Sequence, residues 1–325
     1  MTRPTISVNF HPLFPPETLM EFARRAEKGG LDEIWLWDDA FLPGAFTAAG
    51  IALAATNTIK VGIGLLPAPV YNPLFAAMEI TTLERAFPGR VLPGFGHGVG
   101  PWMKQIGALP RSPLTVLEET VTVVRRLLAG ERFSFHGKTV YLDDGQMITR
   151  IPEVPPLYIG AMRERTLELA GRIGDGTIFT GLSGPSYIRW AQPYIQAGMA
   201  AAGRTHNQRV VYLNVKVNPD GAAARAAMRR GLTSYYPWSD ILLAIPGIEE
   251  EVAEFVAKHG VEGLATQMPD SWLDELAVSG TPEQVMAGIQ RVIDAGVDTV
   301  VLQPMDGDPD GLDEYIRYLL PLLKG

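Results

Sequence analysis

Short apolar runs alternate along this chain with longer segments in which apolar residues recur at helical spacing. The runs at 5–10, 33–37, 60–66, 91–96, 156–161, 176–180, 210–217 and 299–303 are brief and mostly apolar on both faces, as strands buried in a parallel sheet are. Helical patterns at 16–30, 44–56, 73–87, 113–129, 163–173, 185–202 and 282–295, with a last one at 312–323, fill most of the intervals. Several start with Pro and stop before Gly. Pro lacks an N–H that the first turn leaves unpaired anyway, and Gly closes the last turn in a left-handed conformation. Strand and helix repeated eight times predict an α/β fold, a (β/α)8 TIM barrel, with a doubly wound sheet as the alternative.

Two stretches break the rhythm. At about 130–155, after the fourth helix, Phe133-Ser134-Phe135-His136-Gly137-Lys138-Thr139-Val140-Tyr141 alternates around a turn and predicts an inserted hairpin. At about 231–279, after the seventh strand, the chain holds Tyr235-Tyr236-Pro237-Trp238, Pro246-Gly247, an amphipathic run at 249–259 and Trp272. Aromatic residues in such an insertion suit either a pocket wall or satellite packing on the outside of the barrel. No repeat other than the strand–helix unit is present, so residues 1–325 read as one domain with two insertions.

A barrel of this kind uses ~250 residues or more, so a length of 325 residues requires no second domain. With 46% hydrophobic and 20% charged residues the chain has the composition of a soluble globular protein. A net charge of −8 argues against a nucleic-acid surface. The absence of cysteine removes disulfides, thiolate catalysis and cysteine metal sites together. Met1-Thr2-Arg3-Pro4 leads directly into a strand without an apolar targeting core, and the expectation is a cytoplasmic protein with no membrane contact.

Barrels of this type bind ligands at the C-terminal ends of their strands. That rule gathers Phe10-His11, Asp38-Asp39, 64–69, 96–102, 160–163 and Thr180-Gly181 into one candidate site. Val91-Leu92-Pro93-Gly94-Phe95-Gly96-His97-Gly98-Val99-Gly100 carries Gly at every second position, which lets a backbone approach a flat ring or a phosphate closely. Histidines occur at 11, 97, 136, 206 and 259 without metal-ligand spacing, and no G-x-S-x-G is present. A site of backbone, small residues and a few polar tips suits an enzyme whose cofactor carries the chemistry, a flavin-like one above all. Tyr158-Ile159-Gly160-Ala161-Met162-Arg163-Glu164-Arg165-Thr166 then reads as a strand leading to a phosphate-binding helix start, or as a plain strand-to-helix turn.

These segments carry a resemblance. Val61-Gly62-Ile63-Gly64-Leu65-Leu66-Pro67 with Tyr71-Asn72-Pro73, Pro88-Gly89-Arg90-Val91, Gly94-Phe95-Gly96-His97-Gly98 and Gly280-Thr281-Pro282-Glu283 together resemble the luciferase-like monooxygenase superfamily. Within it the chain is similar to the coenzyme F420 branch, the methylenetetrahydromethanopterin reductases and F420-dependent glucose-6-phosphate dehydrogenases. The resemblance implies F420 at the C-terminal face, hydride transfer at the deazaflavin C5, and a non-proline cis peptide around Ile63–Gly64 whose bulge backs the ring. It implies cofactor contacts from Asp39, Gly64, Leu66, His97, Gly98, Trp102, Gly160, Ala161, Arg163 and Glu164. Asp39 also suits a helix N-cap.

Departures from the pattern are informative. Sugar-phosphate dehydrogenases of this family have a His after that Asp and an acid after the Gly of strand 4, where this chain has Ala40 and Val99. His97 remains as the catalytic acid/base candidate, or as a group that only contacts the cofactor. The expectation is an F420-dependent oxidoreductase acting on a small, fairly apolar molecule, with Arg163, Arg165 and Lys104 along the path of the polyglutamate tail. An FMN-dependent monooxygenase and a non-catalytic flavin-binding barrel are the alternatives. A homodimer is left open, since helix 73–87, with Met78, Ile80, Leu83 and Phe87, suits either pairing or barrel cover.

Overall fold

Burying both faces of eight short strands at once requires a closed sheet inside a ring of helices, and the chain adopts that arrangement. The computed structural model describes residues 4–232, 248–304 and 311–324. The described strands are β1 (Thr5–Phe10), β2 (Glu33–Leu36), β3 (Lys60–Pro67), β4 (Val91–Gly96), β5 (Phe133–His136), β6 (Tyr141–Gly145), β7 (Tyr158–Gly160), β8 (Gly176–Phe179), β9 (Gln208–Val217), β10 (Val278–Gly280) and β11 (Thr299–Gln303). The helices are α1 (Leu19–Gly29), α2 (Ala45–Ala55), α3 (Pro73–Ala86), α4 (Gly100–Gln105), α5 (Pro113–Leu128), α6 (Glu164–Ile173), α7 (Pro185–Ala201), α8 (Gly221–Leu232), α9 (Glu249–Gln267), α10 (Asp270–Leu276), α11 (Pro282–Asp294), α12 (Gly311–Glu314) and α13 (Leu320–Lys324). A π-helical stretch, Tyr315–Leu319, joins the last two.

Strands β11, β1, β2, β3, β4, β7, β8 and β9 pair in parallel in that order, and β9 pairs again with β11 to close the barrel. The doubly wound alternative is thereby excluded. Side chains alternate as the pleat demands. Trp35, Leu92, Tyr158, Ile178, Val210, Tyr212 and Val301 form an inner core, while Ile6, Val8, Ile34, Val61, Phe95, Val211 and Val300 pack outward in the larger cluster shared with the helices. Local rules set the helix ends. Asn72 caps α3 through Leu74 N–H, and α11 opens with a capping box between Thr281 and Gln284.

The first predicted insertion is the antiparallel hairpin β5–β6, with His136 opposite Tyr141. It is tied to α5 by Glu119, whose carboxylate accepts the N–H groups of Lys138, Thr139 and Val140 at 2.8–2.9 Å. In the second, the Ala-rich helix α8 precedes the break, and neither it nor α4 or β10 is evident from the hydrophobic pattern. Alanine forms helices well but carries little periodic signal. The amphipathic run at 249–259 continues to Gln267 past a turn at Gly260, which adopts φ 68°. Trp272 packs edge-on against Phe255 at 5.4 Å in a satellite cluster with Met228, Leu264, Met268 and Leu273. Tyr235-Tyr236-Pro237-Trp238 and Pro246-Gly247 lie outside the described residues. On α3, Ile80 and Leu83 are buried whereas Phe75 and Met78 are exposed. Among the described residues no helix is long and apolar enough to cross a membrane.

Candidate active site

The expected residues come together on four neighbouring strands, β2, β3, β4 and β7, at the C-terminal end of the barrel. The cis peptide lies at Gly64–Leu65, one residue later than the sequence resemblance implies. Opposite the step from Pro93 to Phe95 on β4, β3 advances from Ile63 to Leu66, so a bulge shifts the register. This one-residue slip changes which leucine faces where. Leu66 is fully buried in the outer shell against the helices, and the side chain that packs on the inner core is Leu65. Of the two, only Leu65 has its side chain on the inner side of the barrel, where the resemblance puts a contact from Leu66.

The glycines on this side of the barrel serve that leucine and its neighbours. A Cβ on Gly96 would stand 2.6 Å from Leu65 Cδ1, and one on Gly160 would overlap the same methyl. One on Gly64 would meet the Tyr212 hydroxyl at 2.7 Å. Gly64 and Gly160 are buried, and the space their missing side chains leave is filled by this chain's own residues rather than left open to a ligand. At Gly98, φ is +70° and a Cβ would press on Met103 Sδ at 2.9 Å, so glycine is required there on both counts.

Beyond β7 the turn into α6 is open. Arg163 occupies the N-cap position and no side chain caps the first turn of α6, where Thr166 N–H is given to Arg163 C=O at 2.8 Å. Ala161 is buried and its N–H is already given to Ile178 C=O at 3.2 Å. The turn therefore offers Met162, Arg163, Glu164 and Arg165 rather than Ala161. His97 Nε2 lies 3.2 Å from Thr166 Oγ1 in the first turn of α6. Burial holds the His97 pKa below its ordinary value despite the nearby Pro113 carbonyl, and Nδ1 makes no well-aligned hydrogen bond. Arg163, Glu164, Arg165 and Lys104 are exposed, and Trp102 on α4 is half-buried. Glu164 accepts a hydrogen bond from Tyr194 Oη at 2.9 Å.

On the other side, the β2–α2 loop is pinned by Asp38, not Asp39. Asp38 Oδ1 accepts Ala45 N–H at 2.9 Å at the start of α2, and Oδ2 accepts the Tyr71 hydroxyl at 2.5 Å. The N-cap position of α2 is Gly44, so neither aspartate is an N-cap and the hydrogen bond to the start of α2 comes from Asp38. Asp39 keeps a carboxylate with no hydrogen-bond partner among the described residues, and burial beside Asp38 pushes its pKa up to about 6. Between the two aspartates and α2, Phe41 is exposed at φ 70°.

An aromatic wall joins this loop to the bulge. The His11 ring meets Trp37 edge-on at 4.7 Å, Trp37 meets Tyr212 at 5.9 Å, and Tyr212 Oη donates to the Gly64 carbonyl at 3.2 Å. Trp37 and Tyr212 do not stand out in the sequence as site residues, although strict alternation along β2 and β9 marks both as inward-facing. Fully buried Asn9, on β1, has no partner for either side-chain amide atom. Among the described residues no group of His, Asp and Glu is arranged to hold a metal ion.

Comparison with known proteins identifies the family and the fold. A family model described as luciferase-like monooxygenase matches residues 2–299. The chain is 28% identical over 305 residues to a 5,10-methylenetetrahydromethanopterin reductase of Methanolobus tindarius, covering 91% of this chain and 93% of the relative. It is 28% identical over 329 residues to an F420-dependent glucose-6-phosphate dehydrogenase of Kineococcus radiotolerans, covering 96% and 94%. Among solved structures, the coenzyme F420-dependent tetrahydromethanopterin reductase of Methanopyrus kandleri superposes with a TM-score of 0.85 at 22% identity, over 99% of this chain and 100% of that one.

Proposed function

The chain belongs to the luciferase-like monooxygenase family, and from that membership and the site we propose an F420-dependent oxidoreductase that moves a hydride to or from a small, fairly apolar organic substrate. The observation that carries the reading is the start of α6, where uncapped N–H groups lie beside the His97–Thr166 pair at 3.2 Å. Partly free donors at a helix N-terminus favour a phosphate through both hydrogen bonding and the helix dipole. Asp39, three strands away and without a partner, suits a polar edge of a ring. Exposed Arg163, Arg165 and Lys104 suit an anionic tail, which F420 has and FMN lacks.

When bound, F420 would supply the hydride-carrying C5 of its deazaflavin ring. Leu65 and the bulge would support the ring, Gly98 and Trp102 would border it, and Met162, Arg163 and Glu164 would take the phosphate end. His97 sits at that end with its Nε2 on Thr166 Oγ1 at 3.2 Å, so we assign it to cofactor binding rather than to protonation of the substrate. Ala40 and Val99 stand where the sugar-phosphate dehydrogenases of this family have a His and an acid, and sugar-phosphate oxidation is not proposed.

The test is titration of the purified protein with F420 and with FMN, followed by cofactor fluorescence, for the wild type and for Arg163→Ala. F420 is expected to bind more tightly than FMN, and the variant to lose about tenfold or more, as removal of a charge-assisted contact does. FMN preference would move the reading to an oxygen-using monooxygenase, and binding of neither would end it.

A further inference from the structure

Across the barrel mouth from the candidate ring site, three neighbouring strands present side-chain amides. Asn9 on β1, Gln303 on β11 and Asn214 on β9 are all buried. Val8 is in register with Leu302, and Gln303 with Asn214, so the three residues form one row. The pleat turns this row inward. Val8 and Phe10 on either side of Asn9 pack outward, while Val301, two residues before Gln303, and Tyr212, two before Asn214, belong to the inner core. Tyr212 Oη reaches the Gly64 carbonyl of the β3 bulge at 3.2 Å, and Asn214 stands ~7 Å further along β9 toward the mouth. Strands β2, β3, β4 and β7 carry the candidate cofactor site, and the amide row faces them from the other half of the barrel.

Asn9 carries the argument. Its side chain is fully buried, yet among the described residues neither the amide nitrogen nor the amide oxygen has a hydrogen-bond partner. Such burial gives up the hydrogen bonds the group makes with water and gains none in return, which folded proteins rarely tolerate without a use. With both ends unpaired, Asn9 offers a donor and an acceptor side by side. The complement is an edge that carries an acceptor beside a donor, as a primary amide or a lactam does, whereas a lone carbonyl satisfies one end only. None of the three amides is charged, and Lys216, two residues beyond Asn214, is held by Glu314 at 3.1 Å. An anion brought to the row would therefore lose its water without gaining a free cation there. Half-buried Gly181 leaves space beside the row. A Cβ on it would meet nothing closer than Asn214 Nδ2 at 3.6 Å, then Asn214 Oδ1 at 3.8 Å and Gln303 Nε2 at 3.9 Å.

Resting on the hydride-transfer reading above, we infer that Asn9, with Gln303 and Asn214 beside it, recognises the polar group of the substrate, and that this group is an uncharged primary amide or lactam. The substrate carbonyl accepts from the Asn9 amide nitrogen and the substrate N–H donates to the Asn9 oxygen. Bound in this way, the substrate lies on the β9–β11–β1 half of the mouth and extends toward Tyr212 and the bulge that supports the ring.

The experiment titrates the full-length protein, with and without saturating F420, with 2-piperidone as the lactam probe and N-methyl-2-piperidone and cyclohexanecarboxylate as controls. Binding is read from the side-chain NH2 signals of protein labelled with 15N-asparagine, the Asn9 pair being the one lost in Asn9→Leu. The lactam is expected to move the Asn9 signals in both forms of the protein. Removing the N–H from the probe, or the amide from the protein in Asn9→Leu, should each weaken binding about tenfold, the worth of one good hydrogen bond, and the carboxylate should not bind. Gly181→Ala, whose added methyl fits at ordinary contact distance, should weaken lactam binding as well by filling the space beside the amides. Unmoved Asn9 signals, or lactam binding indifferent to Asn9→Leu, would overturn the assignment and leave Asn9 with a buried water at most. Competition between lactam and F420 would place the row under the cofactor and overturn its assignment to the substrate. Lactam binding at Asn9 in a protein that binds no F420 would support the amide site and overturn the hydride-transfer reading instead.

Discussion

The side chain of Leu65 stands where a Cβ on Gly160 would have to be. Two residues far apart in the chain, on strands that are not direct neighbours in the barrel, thereby share one space. Gly96 yields to the same side chain. The glycine-rich strand ends so make room first for the bulged β3, and through it for the candidate ring site.

Gly160→Ala is accordingly expected to destabilise the protein by ~1–3 kcal/mol, the usual cost of forcing extra volume into a packed interior. Combined with Leu65→Ala it should cost less than the sum of the two single changes, because the overlap disappears. Urea unfolding of the four proteins in the cycle measures this. Simple additivity would show that the two residues do not compete for space.

Acid sensitivity should trace to two loop-clamping carboxylates. Glu27 accepts the N–H groups of Asn57, Thr58 and Ile59, and Glu119 those of Lys138, Thr139 and Val140, and these bonds hold both pKa values down at about 2. A carboxylate whose folded pKa is depressed contributes stability that is complete above its unfolded value and is lost as pH falls through the folded one. Wild-type stability should therefore fall between about pH 4.5 and 2. Glu27→Gln and Glu119→Gln should each cost ~1 kcal/mol at pH 7 and flatten that fall. The check is the urea midpoint at pH 7 and pH 3, and an unchanged pH slope would count against the clamps.

Asp39 works in the opposite direction. Its pKa is raised to about 6 by burial and by Asp38, so folding binds a proton more readily than unfolding does. Its contribution is fully present below the unfolded value and is lost as pH rises toward 6. Asp39→Asn should remove that loss, making the variant more stable than the wild type at pH 7 but not at pH 4, while weakening F420 binding. Stability that rises equally at both pH values would indicate relief of something other than a buried charge.

Much of the architecture is legible in the chain itself. Runs of residues apolar on both faces can be satisfied only by strands covered on both sides, and helical periodicity between them supplies the cover. The eight-stranded barrel, the 133–145 hairpin and the placement of Asp39, His97 and Arg163 at one end follow from that requirement and from the polarity of parallel strands.

What each of these residues touches was decided by closure of the barrel. A single bulge on β3 exchanges Leu66 for Leu65. Pairing of β4 with β7 brings His97 to Thr166, 69 positions further along. The fold of the β2–α2 loop gives the pinning role to Asp38 and leaves the Asp39 carboxylate without a hydrogen-bond partner among the described residues. Periodicity records whether a side chain faces inward or outward because that depends on neighbours two to four residues away. Which inward-facing groups meet depends on register and on strands that come together only when the sheet closes, and no local pattern carries that information.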